Sequence, residues 1–226
     1  MRVSDRDEIW AITVLSNTFC EYRTLKKSEK PDFIDRDNSI GVEVTSAVNK
    51  EVMYNQSFYF NNLKNVEYEE DLGDSIKKIE KNGLKVTYFK DDQGRKYGKP
   101  VGLLRVFGEK EFSLLYETIQ KKYSKKYEKL NKLDLYILFS QCCRAPINDN
   151  EFKKLLITAH ECEKTFGKIF SNIFIDFSGD LVMLDLLTDE IIDVRYNADE
   201  IFKQFEKKVL EMENGKKEKS KKPEKL

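Results

Sequence analysis

The chain has 226 residues with 40 basic and 40 acidic side chains, so its formal net charge of zero argues neither for nor against a nucleic-acid partner. A hydrophobic fraction of 40%, with 15 Phe and 11 Tyr, is enough for a real core in one domain. Cys20, Cys142, Cys143 and Cys162 show no CxxC spacing and accompany a single histidine, His160, which excludes the usual structural zinc sites and points to a reducing compartment. The N-terminus runs directly into Asp5, Arg6, Asp7 and Glu8 without a signal peptide, and no apolar stretch approaches a membrane span. The expectation is a soluble, cytoplasmic protein of open oligomeric state.

Ser4 reads as a helix N-cap with acids in the turn behind it. Ile9, Ile12 and Phe19 then give an amphipathic helix to about Thr24. Next come two short runs rich in branched and aromatic residues, Pro31 to Ile34 and Ile40 to Thr45. Between them lie the polar turn formers Arg36, Asp37, Asn38 and Ser39. A tight hairpin turn at Asp37 and Asn38 sets Asp32 directly opposite Glu43 on one face. Phe33, Val42 and Val44 fall on the other, apolar face. Opposed carboxylates with Cβ atoms about 5 Å apart repel, so the pair needs a cation between them, and a divalent metal is the obvious candidate.

Lys50 to Asn65 and Tyr68 to Asn82 read as helices, the second ended by Gly83. Leu84 to Phe89 reads as a strand, Asp91 to Pro100 as a polar loop, and Val101 to Phe107 as an apolar run of open state. Glu109 to about Asn131 is a long helix; Lys121 to Lys132 holds six lysines against one glutamate. Leu133 to Ser140 is an apolar strand and Asp149 to about Gly167 a helix. Ile173 to Phe177 and Leu181 to Leu187 form a second hairpin. A short strand near Ile191 and a helix from Ala198 to about Met212 follow. The lysine-rich stretch from Gly215 is expected to be disordered. This gives a mixed α/β domain over 1–214, with a core of about 4–140, a C-terminal hairpin-and-helix extension over 141–214, and a tail at 215–226.

The order helix, hairpin, strand, lysine-rich helix, strand, together with Pro31-Asp32 and Glu43-Val44-Thr45, resembles the PD-(D/E)XK nuclease superfamily, the restriction-endonuclease-like fold. The resemblance covers roughly Glu8 to Ser140. It implies a mixed β-sheet flanked by helices and a site for Mg²⁺ or Mn²⁺ held by Asp32 and Glu43. The carbonyl of Val44 and a helix acid, for which Glu8 is the first candidate, would complete the metal site. The family places a lysine two residues after the glutamate, beside the scissile phosphate; this chain has Thr45 there. Some members move the basic residue to the following helix, which here makes Lys122 the candidate, with Lys125 behind it and Lys85 as the next alternative. Lys121, Lys125 and Lys126 are then candidate nucleic-acid contacts.

The chemistry is coherent: a metal ion supplies a hydroxide nucleophile and neutralises phosphate charge, and a lysine stabilises charge that develops in the transition state. Removing either carboxylate is expected to abolish activity while leaving apo stability unchanged or higher. Each residue also has a plainer reading. A Pro-Asp pair is common turn chemistry, and a first-turn acid such as Glu8 is favoured by the helix dipole alone, with Asp7 or Glu21 as alternatives. Helix lysines commonly form a solvated face. Tyr116, Tyr123 and Tyr127 either stack on bases or pack on the sheet, and His160 and Cys142-Cys143 read as structural. Three classes follow: a metal-dependent nuclease acting on DNA, with RNA as the other substrate; a catalytically degenerate relative serving as a nucleic-acid-binding or assembly module; and an unrelated α/β protein.

Overall fold

The computed structural model describes residues 3–47, 85–90, 92–94, 96–101, 109–139, 149–177 and 179–220. Strands β1 (Lys26–Lys27), β2 (Phe33–Asp35), β3 (Ile40–Ser46), β6 (Lys132–Leu138), β7 (Asn172–Asp176), β8 (Asp180–Asp185) and β9 (Ile191–Arg195) form a mixed seven-stranded sheet in that spatial order. Pairs β3–β6 and β6–β7 are parallel and the others antiparallel. Strands β4 (Lys85–Lys90) and β5 (Lys96–Val101) form a separate two-stranded sheet.

Strand alternation divides the core into two layers. Val42 and Val44, with Tyr136 and Phe174, face Ala11, Val14 and Leu15 of α1 (Val3–Thr18). Leu133, Leu135 and Ile137, with Ile173 and Ile175, face Leu115 and Ile119 of α2 (Glu109–Tyr123) and Phe152, Leu155 and Ala159 of α3 (Asp149–Phe166). The last helix, α4 (Ala198–Ser220), joins the α1 side through Ile201, and its Phe205 and Val209 pack on Ile9. Helices thus cover both faces, which explains why β3, β6 and β7 are buried almost throughout.

The first hairpin has the expected register: Phe33 faces Val42, Ile34 faces Gly41 and Asp35 faces Ile40. Its turn is longer than a two-residue one. It spans Arg36 to Ser39, with the Ser39 N–H donating to the Arg36 carbonyl at 3.4 Å and Ser39 in the left-handed region at φ 55°. The Asp35 carboxylate fixes it, accepting from the N–H groups of Asp37 (3.0 Å) and Asn38 (3.2 Å), the Asn38 amide (2.8 Å) and the Thr24 hydroxyl. These donors hold the Asp35 carboxyl down at about 2. Both turn lengths have even parity, so the faces of the strands do not change.

Several boundaries differ from the sequence expectation. Helix α1 begins at Val3, which puts Ser4 inside it, and ends at Thr18; a 3₁₀ turn, Cys20–Tyr22, and the edge strand β1 fill the space before the hairpin. Helix α2 stops at Tyr123 instead of about Asn131. The chain must reach β6 with Lys132 beside Ile40, and the N–H groups of Asn131 and Lys132 both donate to the Ser39 carbonyl at 3.0 and 3.2 Å, which a helix to Asn131 would forbid. Lys96–Val101 is a strand where a loop was expected, because Gly94, at φ 77°, reverses the chain and lets it pair back on β4. Lys85 therefore belongs to a sheet separate from Asp32 and Glu43. Helix α4 continues past Met212 and Gly215 to Ser220. The expected helices at 50–65 and 68–82, the apolar run beyond Val101, and Cys142-Cys143 lie outside the described residues.

Candidate functional site

Carried one residue past its first pair, the β2–β3 register puts Asp32 opposite Glu43. Proline at position 31 has no N–H to extend the ladder, and the Asp32 side chain takes over, its Oδ2 accepting the Val44 N–H at 2.7 Å. Gly41 gives the segment room: a Cβ there would lie 2.7 Å from Pro31 Cγ and 2.5 Å from Leu130 Cδ1.

Glu43 points to the α2 side of the sheet and its side chain is 5% exposed. Lys122, in the last turn of α2, reaches it along the buried stripe that runs through Leu115 and Ile119. The Lys122 ammonium donates to Glu43 Oε1 at 2.6 Å and to the Val44 carbonyl at 3.1 Å. Lys125, just beyond the helix and partly exposed, lies 3.4 Å from the same Glu43 oxygen. Val44 thus offers both backbone groups to the site while its side chain lies in the α1-side core. The positive charge beside Glu43 in this structure is the Lys122 side chain. The expectation that losing Glu43 relieves repulsion is therefore overturned, because its loss would strand a buried lysine.

Electrostatics follow from this burial. Burial raises the Asp32 pKa and the Glu43 charge adds to it, against the Val44 N–H, Lys122 and Lys27. Burial lowers the Lys122 pKa and Lys125 adds to it, against the support of Glu43 and Asp32. Asp32 accepts through Oδ2 and Glu43 accepts both ammonium groups through Oε1, with the Tyr127 hydroxyl also acting on the Glu43 carboxylate.

The other candidate residues are distributed as follows. Thr45, half-buried, shares the Glu43 face and carries no charge. Glu8 sits on α1, across the sheet from Glu43, and pairs with the Lys27 ammonium; the expected third carboxylate is not brought to the pair. Asp7, its pKa raised by burial, is hydrogen-bonded by Ser46 at the end of β3, and Glu21 pairs with Lys132 at 2.8 Å. Among the described residues, no group of three or more Asp, Glu, His or Cys side chains converges as a metal site. Lys121 lines a groove between α2 and α3 with Glu117, Glu161 and Thr165, away from Glu43, and Lys126 is exposed in the segment after α2. Tyr116 accepts from Gln120 at 2.7 Å, whereas Tyr123 and Tyr127 pack edge-on against Phe170. His160 lies between Glu163 at 2.9 Å and Asp189 at 2.7 Å.

Two buried acids on the α1 side escaped the sequence reading. Asp176 accepts from Trp10 and Tyr196, each at 2.7 Å, and from Tyr136. Asp134 accepts from Tyr22 at 2.7 Å and from the backbone and side chain of Asn172 at 3.0 and 2.8 Å. Burial pushes the Asp134 carboxyl up to about 6. Their donors come from residues far apart in sequence, so no local pattern marks them. Both carboxylates are well supplied with hydrogen bonds and brace the sheet against α1. Comparison with protein-family models finds no match, and comparisons with curated proteins and with solved structures find none either.

Proposed function

We propose that the chain is a divalent-metal-dependent nuclease of the restriction-endonuclease-like kind, hydrolysing phosphodiester bonds in DNA, with RNA the alternative substrate. One observation carries this reading: Asp32 and Glu43 oppose each other on a hairpin, and a lysine from the following helix reaches Glu43 at 2.6 Å, where Thr45 leaves the family's usual lysine position uncharged. The order α1, hairpin, α2, parallel β6 supports it, with the strand at Lys85–Lys90 set apart from the main sheet.

The residues suit Mg²⁺ or Mn²⁺. One or two carboxylates are an ordinary protein share for an ion that keeps several waters and also binds substrate phosphate, and Asp32 and Glu43 would be the residues to hold it. When bound, the ion supplies a hydroxide nucleophile and neutralises phosphate charge. Lys122 and Lys125 offset the negative charge of the phosphate and of the transition state, which requires Lys122 to leave Glu43 Oε1. The Thr45 hydroxyl orients water. Asp32, held by the Val44 N–H, keeps the hairpin end in register.

Purified protein with Mg²⁺ or Mn²⁺ should cut DNA, and D32A and E43Q should not. Unchanged cleavage by E43Q would remove the reading. A catalytically silent nucleic-acid-binding or assembly module is the second reading, favoured by the Lys122 ammonium already neutralising Glu43 and by the uncharged Thr45. It predicts binding of DNA or RNA without cleavage under any metal.

A further inference from the structure

We propose that nucleic acid enters the Asp32–Glu43 site over the β1 edge of the sheet, with Lys26 and Ser28 contacting its phosphates. This rests on the nuclease reading and names the side from which substrate arrives. Strand β1 pairs with β2 as Lys26 with Ile34 and Lys27 with Phe33, and the Ser28 N–H donates to the Asp32 carbonyl at 2.8 Å. Ser28 therefore stands opposite Asp32, which stands opposite Glu43, and directly opposed residues share a face. Lys26, two residues before Ser28, lies on that face as well. Lys27 is turned to the α1 side, where Glu8 pairs with it.

The row Ser28, Asp32, Glu43 opens at the sheet edge. Beyond Glu43 comes Leu135 of β6, fully buried, and Lys122 closes over Glu43 from α2. Toward the edge Asp32 and Ser28 are half-buried and Lys26 is exposed. A groove of about 780 Å³ follows this edge from Ser28 past Lys26 to the hairpin turn. At the turn end its charges are engaged: Asp35 accepts from the turn N–H groups, Arg36 pairs with Glu128 at 2.8 Å, and Arg23 donates to the Ser16 carbonyl at 3.3 Å. Asp37 adds a negative charge there. Lys26 makes no ion pair among the described residues, so the cation open to a ligand lies at the Asp32 end. An anion beside Asp32 and Glu43 meets like charge and needs donors on both sides. Lys122 and Lys125 supply the closed side, and Lys26 and Ser28 the open one. Side chains two apart on a strand are separated by about 7 Å, which suits a chain of phosphates better than a single one.

A plainer role for Lys26 is to keep the sheet edge from pairing with another chain, and the experiment separates the two. Binding of a DNA duplex, with Ca²⁺ in place of Mg²⁺, is titrated against salt for wild type, K26A, K26R, S28A and K203A. Cleavage with Mg²⁺ and sedimentation of the free proteins accompany it. K26A should bind roughly tenfold more weakly at 0.1 M salt, with the slope of log K against log salt reduced by about 1, the value for one phosphate contact. K26R should restore both. S28A should lower kcat/KM by about tenfold, as for a lost hydrogen bond to a charged group, and leave the slope unchanged. K203A, which removes an exposed lysine of α4, should match wild type. Wild-type affinity and slope in K26A, with or without self-association, would overturn the proposal, as would an equal loss of slope in K203A. Unchanged kcat/KM in S28A would remove Ser28 from it. A wild type that binds without cutting would sink the nuclease reading, while the K26A slope still decides the edge. A wild type that does not bind would sink both.

Discussion

The Lys122 ammonium crosses from the last turn of α2 to the Glu43 carboxylate at 2.6 Å, and both side chains are nearly closed to solvent. Burying such a pair does not by itself stabilise a protein, because desolvation offsets the attraction, but removing one partner leaves a buried charge unmatched. K122M should therefore lower unfolding free energy by about 3 kcal/mol, the low end for a broken buried pair, since Lys125 still faces Glu43 from 3.4 Å. The double variant K122M/E43L should recover most of the loss. Denaturant titration reads this, and a K122M protein as stable as wild type would mean that Glu43 is solvated and not paired.

A divalent ion and Lys122 compete for the neighbourhood of Glu43. Mn²⁺ should consequently raise the melting temperature of K122M more than that of wild type, because a ligand that binds only the folded state stabilises it by mass action. E43Q should abolish the Mn²⁺ effect in either background. An equal Mn²⁺ shift in K122M and wild type would separate the lysine from the metal question.

Gly41 is required by close approach and not by backbone conformation. G41A should destabilise by about 1–3 kcal/mol, the usual range for overpacking, because the new methyl meets the Pro31 ring at 2.7 Å, while the Leu130 end at 2.5 Å is freer to move. If the shift reaches Asp32, cleavage should fall further than stability alone explains. A G41A protein with wild-type stability would show that Pro31 is free to move away.

Asp134 predicts a pH dependence. Its folded pKa of about 6 lies above the ordinary 3.8, so the folded state binds this proton more tightly than the unfolded state. That contribution to stability is fully present below about pH 4 and is lost as pH rises through about 6, a loss on the order of 3 kcal/mol. D134N removes the titration, so its stability should fall less than that of wild type across this window. Identical slopes in urea titrations at several pH values would show that Asp134 stays ionised throughout.

His160 titrates in the same region and has the same sign. Its hydrogen bonds to Glu163 and Asp189 raise its pKa, so the bridge from α3 to the β8–β9 turn is present below about pH 6.5 and weakens as pH rises through the folded value. H160Q should remove that part of the slope independently of D134N, and a slope that H160Q leaves untouched would show that the two carboxylates hold without the proton.

The hairpin register could be read from the sequence because it rests on local chemistry. Alternating apolar residues and a polar stretch of even length between two runs leave one arrangement that buries Phe33, Val42 and Val44 together. Lys122 was named through the resemblance, which allows the basic residue on the following helix; its burial against Glu43 is what the structure added. The helix acid was not legible. With α1 starting at Val3, Glu8 falls beyond its first turn, and only the packing of α1 on the Val42–Val44 face gives it Lys27 as a partner.

The sequence by itself determined the α/β character, the opposition of Asp32 to Glu43 and the absence of a charge at Thr45, since each depends on residues within one turn or one hairpin. Tertiary structure decided that the Lys122 ammonium group sits against Glu43, that α2 ends at Tyr123, that Lys85 stands in another sheet and that Asp134 and Asp176 brace the core. Those outcomes depend on which elements meet across the sheet. Contacts between residues roughly 80 to 170 positions apart are set by the burial and hydrogen-bond demands of the whole chain, and no local periodicity records them.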